Sequence, residues 1–138
     1  AAVDGGLTFE EGYAADGEGG FEPDTTNWEQ AGDGAVWTSV RDLQRWAENL
    51  RTFALGGPAL RAGLLTPGPV LDDDGLGYGG GLSLGDGLIE HSGEWAGFSS
   101  DLLVKASTGT SVVVLCNRDD ADPYDLATRV LDLVDAGP

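Results

Sequence analysis

The feature that most constrains this chain is the change of hydrophobic period at Gly75. From there to Asn117, short apolar runs alternate with turn signals of two or three residues. Tyr78 to Leu84 reads as a glycine-rich strand, Gly85-Asp86-Gly87 as a hairpin turn and Leu88 to His91 as the returning strand. Phe98 to Ala106 is a third strand, and Ser107-Thr108-Gly109 turns it into a fourth, Thr110 to Asn117. Connections this short leave no room for the crossover that a parallel pair needs, so the strands form an antiparallel meander. The Val112-Val113-Val114-Leu115 run lacks polar alternation and predicts burial on both faces.

Helices bracket the meander. Val40, Leu43, Trp46, Ala47, Leu50, Phe53 and Ala54 recur at three- and four-residue spacing, which predicts a helix over 39–54. Ser39 caps it, with Asp42 three residues on as a weaker capping box, and Gly56-Gly57 ends it. Pro58 starts a short helical turn that runs to about Leu65, and Thr66-Pro67-Gly68-Pro69 breaks the chain. Asp122 caps a last helix with Pro123 at its first position and Leu126, Ala127, Val130, Leu131 and Val134 as its apolar stripe. The expected architecture is a single α+β domain over 1–138. It has an acidic glycine-rich irregular segment over 1–34, a helical region over 35–70, and an antiparallel sheet with the C-terminal helix packed on it over 75–138. Only Leu7–Glu10 and Gly12–Ala14 in the first segment read as short strands; so long an irregular start looks like the middle of a larger protein.

Charge excludes some partners. Twenty-four acidic residues against seven basic ones give a formal net charge of −17. Such a surface repels nucleic acid phosphates and anionic membranes, and reads either as a solvated acidic exterior or as an attractor of cationic ligands. No apolar run approaches the roughly 20 residues of a membrane span. The N-terminus is rich in Ala, Asp and Gly without a basic stretch, which leaves the compartment open. The lone Cys116 sits in an apolar run and reads as a small buried hydrophobe.

The chemistry-bearing stretch is Glu90-His91-Ser92-Gly93-Glu94-Trp95-Ala96-Gly97-Phe98-Ser99-Ser100. It carries the only histidine, at the end of an expected strand, followed by small residues that let a ligand lie along the backbone. No serine lies three residues before the only lysine, Lys105, so no Ser-x-x-Lys nucleophile is present. A triad assembled from distant residues with His91 as base, and Ser92 or Ser99 as nucleophile, stays open; Ser92 is adjacent, so on a strand it points away from His91. One His and one Cys do not make a zinc site, and no metal or other cofactor is expected. Asp72-Asp73-Asp74-Gly75 lacks calcium-loop spacing and reads as a solvated loop.

Three stretches resemble the C-terminal part of the serine β-lactamase-like family, which includes class C β-lactamases, D-alanyl-D-alanine peptidases and related esterases. Gly32-Asp33-Gly34-Ala35-Val36-Trp37-Thr38-Ser39-Val40-Arg41-Asp42-Leu43 is similar to the family's Gly-Gly-x-x-Ser-Thr-x-x-Asp-Leu helix opening. Gly77-Tyr78-Gly79-Gly80-Gly81 resembles its Tyr-Gly-x-Gly-Trp strand. His91-Ser92-Gly93 through Phe98-Ser99-Ser100, then Val112 to Asn117-Arg118, resembles its third motif and the strand after it.

The resemblance implies a partial β-lactamase-like fold and hydrolysis of an amide or ester through a serine acyl-enzyme. It implies that His91 handles a proton or orients a carboxylate, and that Ser92 bonds the substrate carboxylate or the catalytic network. Gly93 would admit the substrate, the backbone N–H of Glu94 would be an oxyanion-hole donor, and Trp95 would sit at the rim or pack beside the strand. The family's Ser-x-x-Lys and Tyr-x-Asn motifs are absent: Tyr13, Tyr78 and Tyr124 are followed two residues on by Ala15, Gly80 and Leu126. The expected partners are therefore a small-molecule substrate in the complete enzyme and a complementary N-terminal half. The alternative is a noncatalytic module whose open sheet edge binds a strand, from another copy of the chain for example.

Overall fold

The computed structural model describes residues 3–4, 7–25, 32, 34, 36–68 and 76–137. The order of elements is β1 (Val3–Asp4), β2 (Leu7–Thr8), β3 (Gly12–Ala15), β4 (Phe21–Asp24), α1 (Val40–Thr52), α2 (Gly57–Leu65), β5 (Gly77–Gly79), β6 (Leu82–Gly85), β7 (Leu88–Trp95), β8 (Phe98–Lys105), β9 (Ser111–Cys116) and α3 (Pro123–Ala136). Strands β5 to β9 form one antiparallel sheet in sequence order, the expected meander.

Two of the strand expectations need correction. The segment Tyr78–Leu84 is not one strand but a hairpin, β5 and β6, folded at Gly80-Gly81 with Gly81 at φ 87°. Its glycines are required by packing: a Cβ on Gly79 would lie 2.6 Å from the Leu64 carbonyl oxygen, and one on Gly80 2.5 Å from that of Gly63. The backbone of α2 therefore rests directly on the hairpin. The returning strand does not end at His91 either. It runs on to Trp95, because the next turn is Ala96-Gly97. Both Asp86-Gly87 and Ala96-Gly97 have positive φ at their two central residues, the form whose twist suits a two-residue hairpin.

The sheet is covered on both faces. Ala47 and Leu50 of α1 and its C-cap residue Phe53 pack with Leu82, Ile89, Leu102 and Val104, with α2 residues Leu60, Leu64 and Leu65 at the margin. On the other face, Ala127 and Leu131 of α3 pack with Leu103 and Val112. Ser39 caps α1 as expected, its Oγ accepting from the Asp42 N–H at 3.2 Å, while the Asp42 carboxylate accepts from the Ser39 hydroxyl at 2.9 Å and not from the backbone. Asp122 caps α3 by accepting from the Asp125 N–H at 2.9 Å. Of the stripe expected on α3, only Ala127 and Leu131 are buried; Leu126, Val130 and Val134 are exposed. Likewise Val112 is buried but Leu115 is exposed on β9, the last strand of the five-stranded sheet.

The acidic N-terminal segment is more ordered than its composition suggested. Strands β3 and β4 pair across a turn in which Asp16 Oδ1 accepts from the N–H groups of Glu18 and Gly20, both at 2.8 Å. This hairpin docks on the main sheet through backbone bonds. The Tyr13 N–H donates to the carbonyls of Gly97 (3.1 Å) and Asn117 (3.2 Å), and the Asp119 N–H donates to Tyr13 (3.1 Å). The contact is close: a Cβ on Gly12 would lie 2.3 Å from the Ala96 carbonyl oxygen and 2.7 Å from the Phe98 ring. Gly12→Ala should therefore destabilise the fold by about 1–3 kcal/mol, read as a lower midpoint in urea denaturation.

Candidate functional site

The site residues expected from the sequence all lie on β7, and the register of that strand decides what each can reach. The Ala106 N–H donates to the Gly87 carbonyl at 2.9 Å, so the Gly87–Ala106 pair is hydrogen-bonded. Alternation along an antiparallel ladder then turns the backbone of Ile89, His91, Gly93 and Trp95 toward β8, and that of Leu88, Glu90, Ser92 and Glu94 away from it. Strand β6 pairs with Leu88, Ile89 and Glu90 alone. Among the described residues, the N–H and C=O groups of Ser92 and Glu94 therefore face an uncovered strand edge.

Side chains divide the other way, between the two faces. His91 and Gly93 lie on the α1 face, opposite Leu102 and Ser100. A Cβ on Gly93 would come within 2.7 Å of the Ser100 hydroxyl, which reaches the Gly93 carbonyl at 3.4 Å. Ser92 and Glu94 lie on the α3 face, opposite Asp101 and Ser99. His91, Ser92, Glu94 and Trp95 are exposed. The strand thus brings the expected residues into one edge but sets His91 and Ser92 on opposite sides of it. Ser99 is no closer to partnering His91: it is buried on the α3 face with its hydroxyl donating to the Arg118 carbonyl at 2.9 Å. A His91-based triad with either serine is not assembled.

A depression of about 220 Å³ opens on the α3 face. Glu90, Ser92, Ser83, Leu103 and Tyr124 contribute to its wall. Next to it stands Asp101, the cross-strand neighbour of Ser92, which no sequence motif marks. It is 1% exposed, and among the described residues no donor reaches either carboxylate oxygen. Burial pushes its carboxyl up to about 7, reinforced by the neighbouring carboxylate of Glu90 and more weakly by Asp122. A hydrogen bond between two carboxyls requires that one of them keep its proton, and the raised Asp101 carboxyl can supply it to Glu90. The apolar-looking string Phe98-Ser-Ser-Asp-Leu-Leu-Val carried one faint signal: an acidic residue in phase with Leu103 on a strand with both faces covered.

No group of three or more His, Cys, Asp or Glu among the described residues is placed to hold a metal ion. The Asp72-Asp73-Asp74-Gly75 stretch lies outside the described residues.

A family model described as Beta-lactamase matches residues 4–136. The chain belongs to the Beta-lactamase family. It is thereby a member of a serine hydrolase-like superfamily, with the antiparallel sheet and C-terminal helix of a partial family fold. No curated protein matches the chain.

The raised carboxyl of Asp101 has a stability consequence with a definite sign. In the folded chain it keeps its proton up to about pH 7, whereas an unfolded aspartate loses it near pH ~4. The stability that the retained proton contributes is full below about pH 4 and is lost as pH rises through about 7. Replacing Asp101 by leucine, of similar size, should stabilise the fold at pH 8 by on the order of a few kcal/mol, read as a higher thermal midpoint. The gain should shrink on going to pH 5, as thermal unfolding of both proteins at the two pH values will report.

Proposed function

We propose that this chain is the C-terminal portion of a β-lactamase-like serine hydrolase, which cleaves an amide or ester through a serine acyl-enzyme. The observation that carries the reading is the uncovered edge of β7 from Ser92 to Glu94, with backbone groups directed outward beside Gly93. An extended substrate can add to such an edge as a strand and place its reacting carbonyl there. The Glu94 N–H then donates to the developing oxyanion, which is worth most in a water-excluded cleft. Gly93 keeps the edge free of side-chain bulk, Ser92 bonds the substrate carboxylate or the catalytic network, His91 handles a proton or orients a carboxylate, and Trp95 borders the rim. The serine nucleophile attacks the carbonyl carbon, the leaving amine or alcohol takes a proton, and water releases the acyl group. That serine, with its Lys and Tyr, comes from outside these 138 residues, which contain neither Ser-x-x-Lys nor Tyr-x-Asn.

The test is complementation. Mixing this chain with a separately expressed N-terminal half that carries Ser-x-x-Lys should produce hydrolysis of a chromogenic β-lactam or a short ester. In the mixture, Glu94→Pro should lower turnover by about 10²-fold or more, the cost of one oxyanion donor. Proline is tolerated there because that N–H is not in the β7–β8 ladder. Absence of hydrolysis on mixing would count against the proposal.

A second reading, a noncatalytic binding or self-assembly module, draws on a different surface. The outer edge of β9 is unpaired among the described residues, and Leu126, Val130, Leu133 and Val134 of α3 are exposed. Two copies of a −17 chain repel, so association through this surface should grow with both protein and salt concentration. Sedimentation that gives a monomer mass under all these conditions would remove the self-assembly form of this reading.

A further inference from the structure

Asp101 is retained at a cost in stability, and its position suggests what it is retained for. It is the direct cross-strand neighbour of Ser92. Because Ser92 turns its backbone away from β8, this is a non-hydrogen-bonded pair, the kind in which facing side chains approach more closely. Both side chains lie on the α3 face, one buried and without a donor, the other exposed and carrying a hydroxyl. In such a pair the Cβ atoms lie about 4.5–5.5 Å apart, a separation that a hydroxyl and a carboxylate can bridge.

We propose that Asp101 is a positioning residue for Ser92: its buried carboxylate accepts the Ser92 hydroxyl across the β7–β8 pair and fixes the rotamer that Ser92 presents at the open edge. Glu90, on the same face of β7, competes for Asp101 through the shared proton. When Asp101 is protonated it donates to Glu90 and Ser92 is free to turn. When Asp101 is ionised its oxygens accept from Ser92. The other titratable group that acts on Asp101 is Asp122 at the start of α3; Tyr124 of α3 lines the neighbouring depression, and Glu94 of β7 and Cys116 of β9 lie in phase on the same face of the sheet, opposite Ser99. None of the groups that shift Asp101 is a cation, so no fixed counter-charge holds it ionised. The inference rests on Ser92 being a residue of the proposed hydrolytic site, but the contact itself does not depend on hydrolysis.

NMR of the intact 138-residue chain tests it. The Asp101 side-chain carboxyl and the Ser92 Cβ should titrate with one common midpoint near neutrality. Asp101→Asn should abolish the Ser92 titration. Ser92→Ala, at an exposed position, should raise the Asp101 midpoint by about half a pH unit or more, since the ionised form loses a donor. A merely structural role, or a field acting through space, would leave the Asp101 midpoint unmoved by Ser92→Ala, because the hydroxyl is neutral. That result, or a Ser92 signal flat through the Asp101 titration, would overturn the proposal. Should Asp101→Asn fail to fold, the Ser92→Ala measurement decides alone. Linked titration without hydrolysis in the complementation mixture would sustain the Asp101–Ser92 contact and refute the hydrolase reading instead. Hydrolysis without linked titration would do the reverse.

Discussion

Two turns with both central residues at positive φ, Asp86-Gly87 and Ala96-Gly97, fix the register of β7 against β6 and β8. Side-chain direction in a strand has a period of two, so a slip by one residue would exchange the faces of His91 and Ser92 and of Asp101 and Leu102. The same slip would turn the Glu94 N–H into the ladder and out of reach of a ligand. Apolar packing holds the register against such a slip. Ile89, Leu102 and Val104 must meet α1, while Leu103 and Val112 must meet α3. The outer side of β7 beyond Glu90 is open because the β5–β6 hairpin is short and because the close approach of α2 holds its glycines where they are.

The N-terminal hairpin adds a second constraint on the same turn. Gly12 and Gly97 meet nearly backbone to backbone: a Cβ on Gly97 would lie 2.3 Å from the Tyr13 nitrogen. Tyr13 also bonds to Asn117, so one short strand ties the β7–β8 turn to the end of β9. The Phe9, Trp37 and Phe98 rings close over this junction, with centroids 4.7 and 5.7 Å apart. The open edge of β7, which ends in a two-residue turn, is thus held at its far end by the acidic segment.

The function we propose draws on the uncovered edge of β7. Asp101 sits apart from that edge as a local conflict, a carboxyl without a donor in a strand otherwise made for burial. Conflicts of this kind concentrate at functional sites, where stability is given up for chemistry.

The sequence alone determined the three helices, the antiparallel meander from about Gly77 to Asn117 and the caps Ser39 and Asp122, and it singled out the β7 segment as the candidate site. These depend on neighbours close along the chain: turn residues, alternation and side-chain caps. It misjudged Tyr78–Leu84 because glycine is permissive in both strands and turns, and only the approach of α2 distinguishes them. It missed the docking of β3 because the bonds of Tyr13 and Ala15 reach Gly97, Asn117 and Asp119, about a hundred residues away, and it missed β4 because that strand, among the described residues, pairs only with β3. Only the tertiary structure decided that Asp101 is buried beside Ser92 and Glu90, that Leu115 and most of the α3 stripe stay exposed, and that the backbone of Glu94 faces outward. Burial and register are properties of what packs against a residue, and period alone does not name the partner.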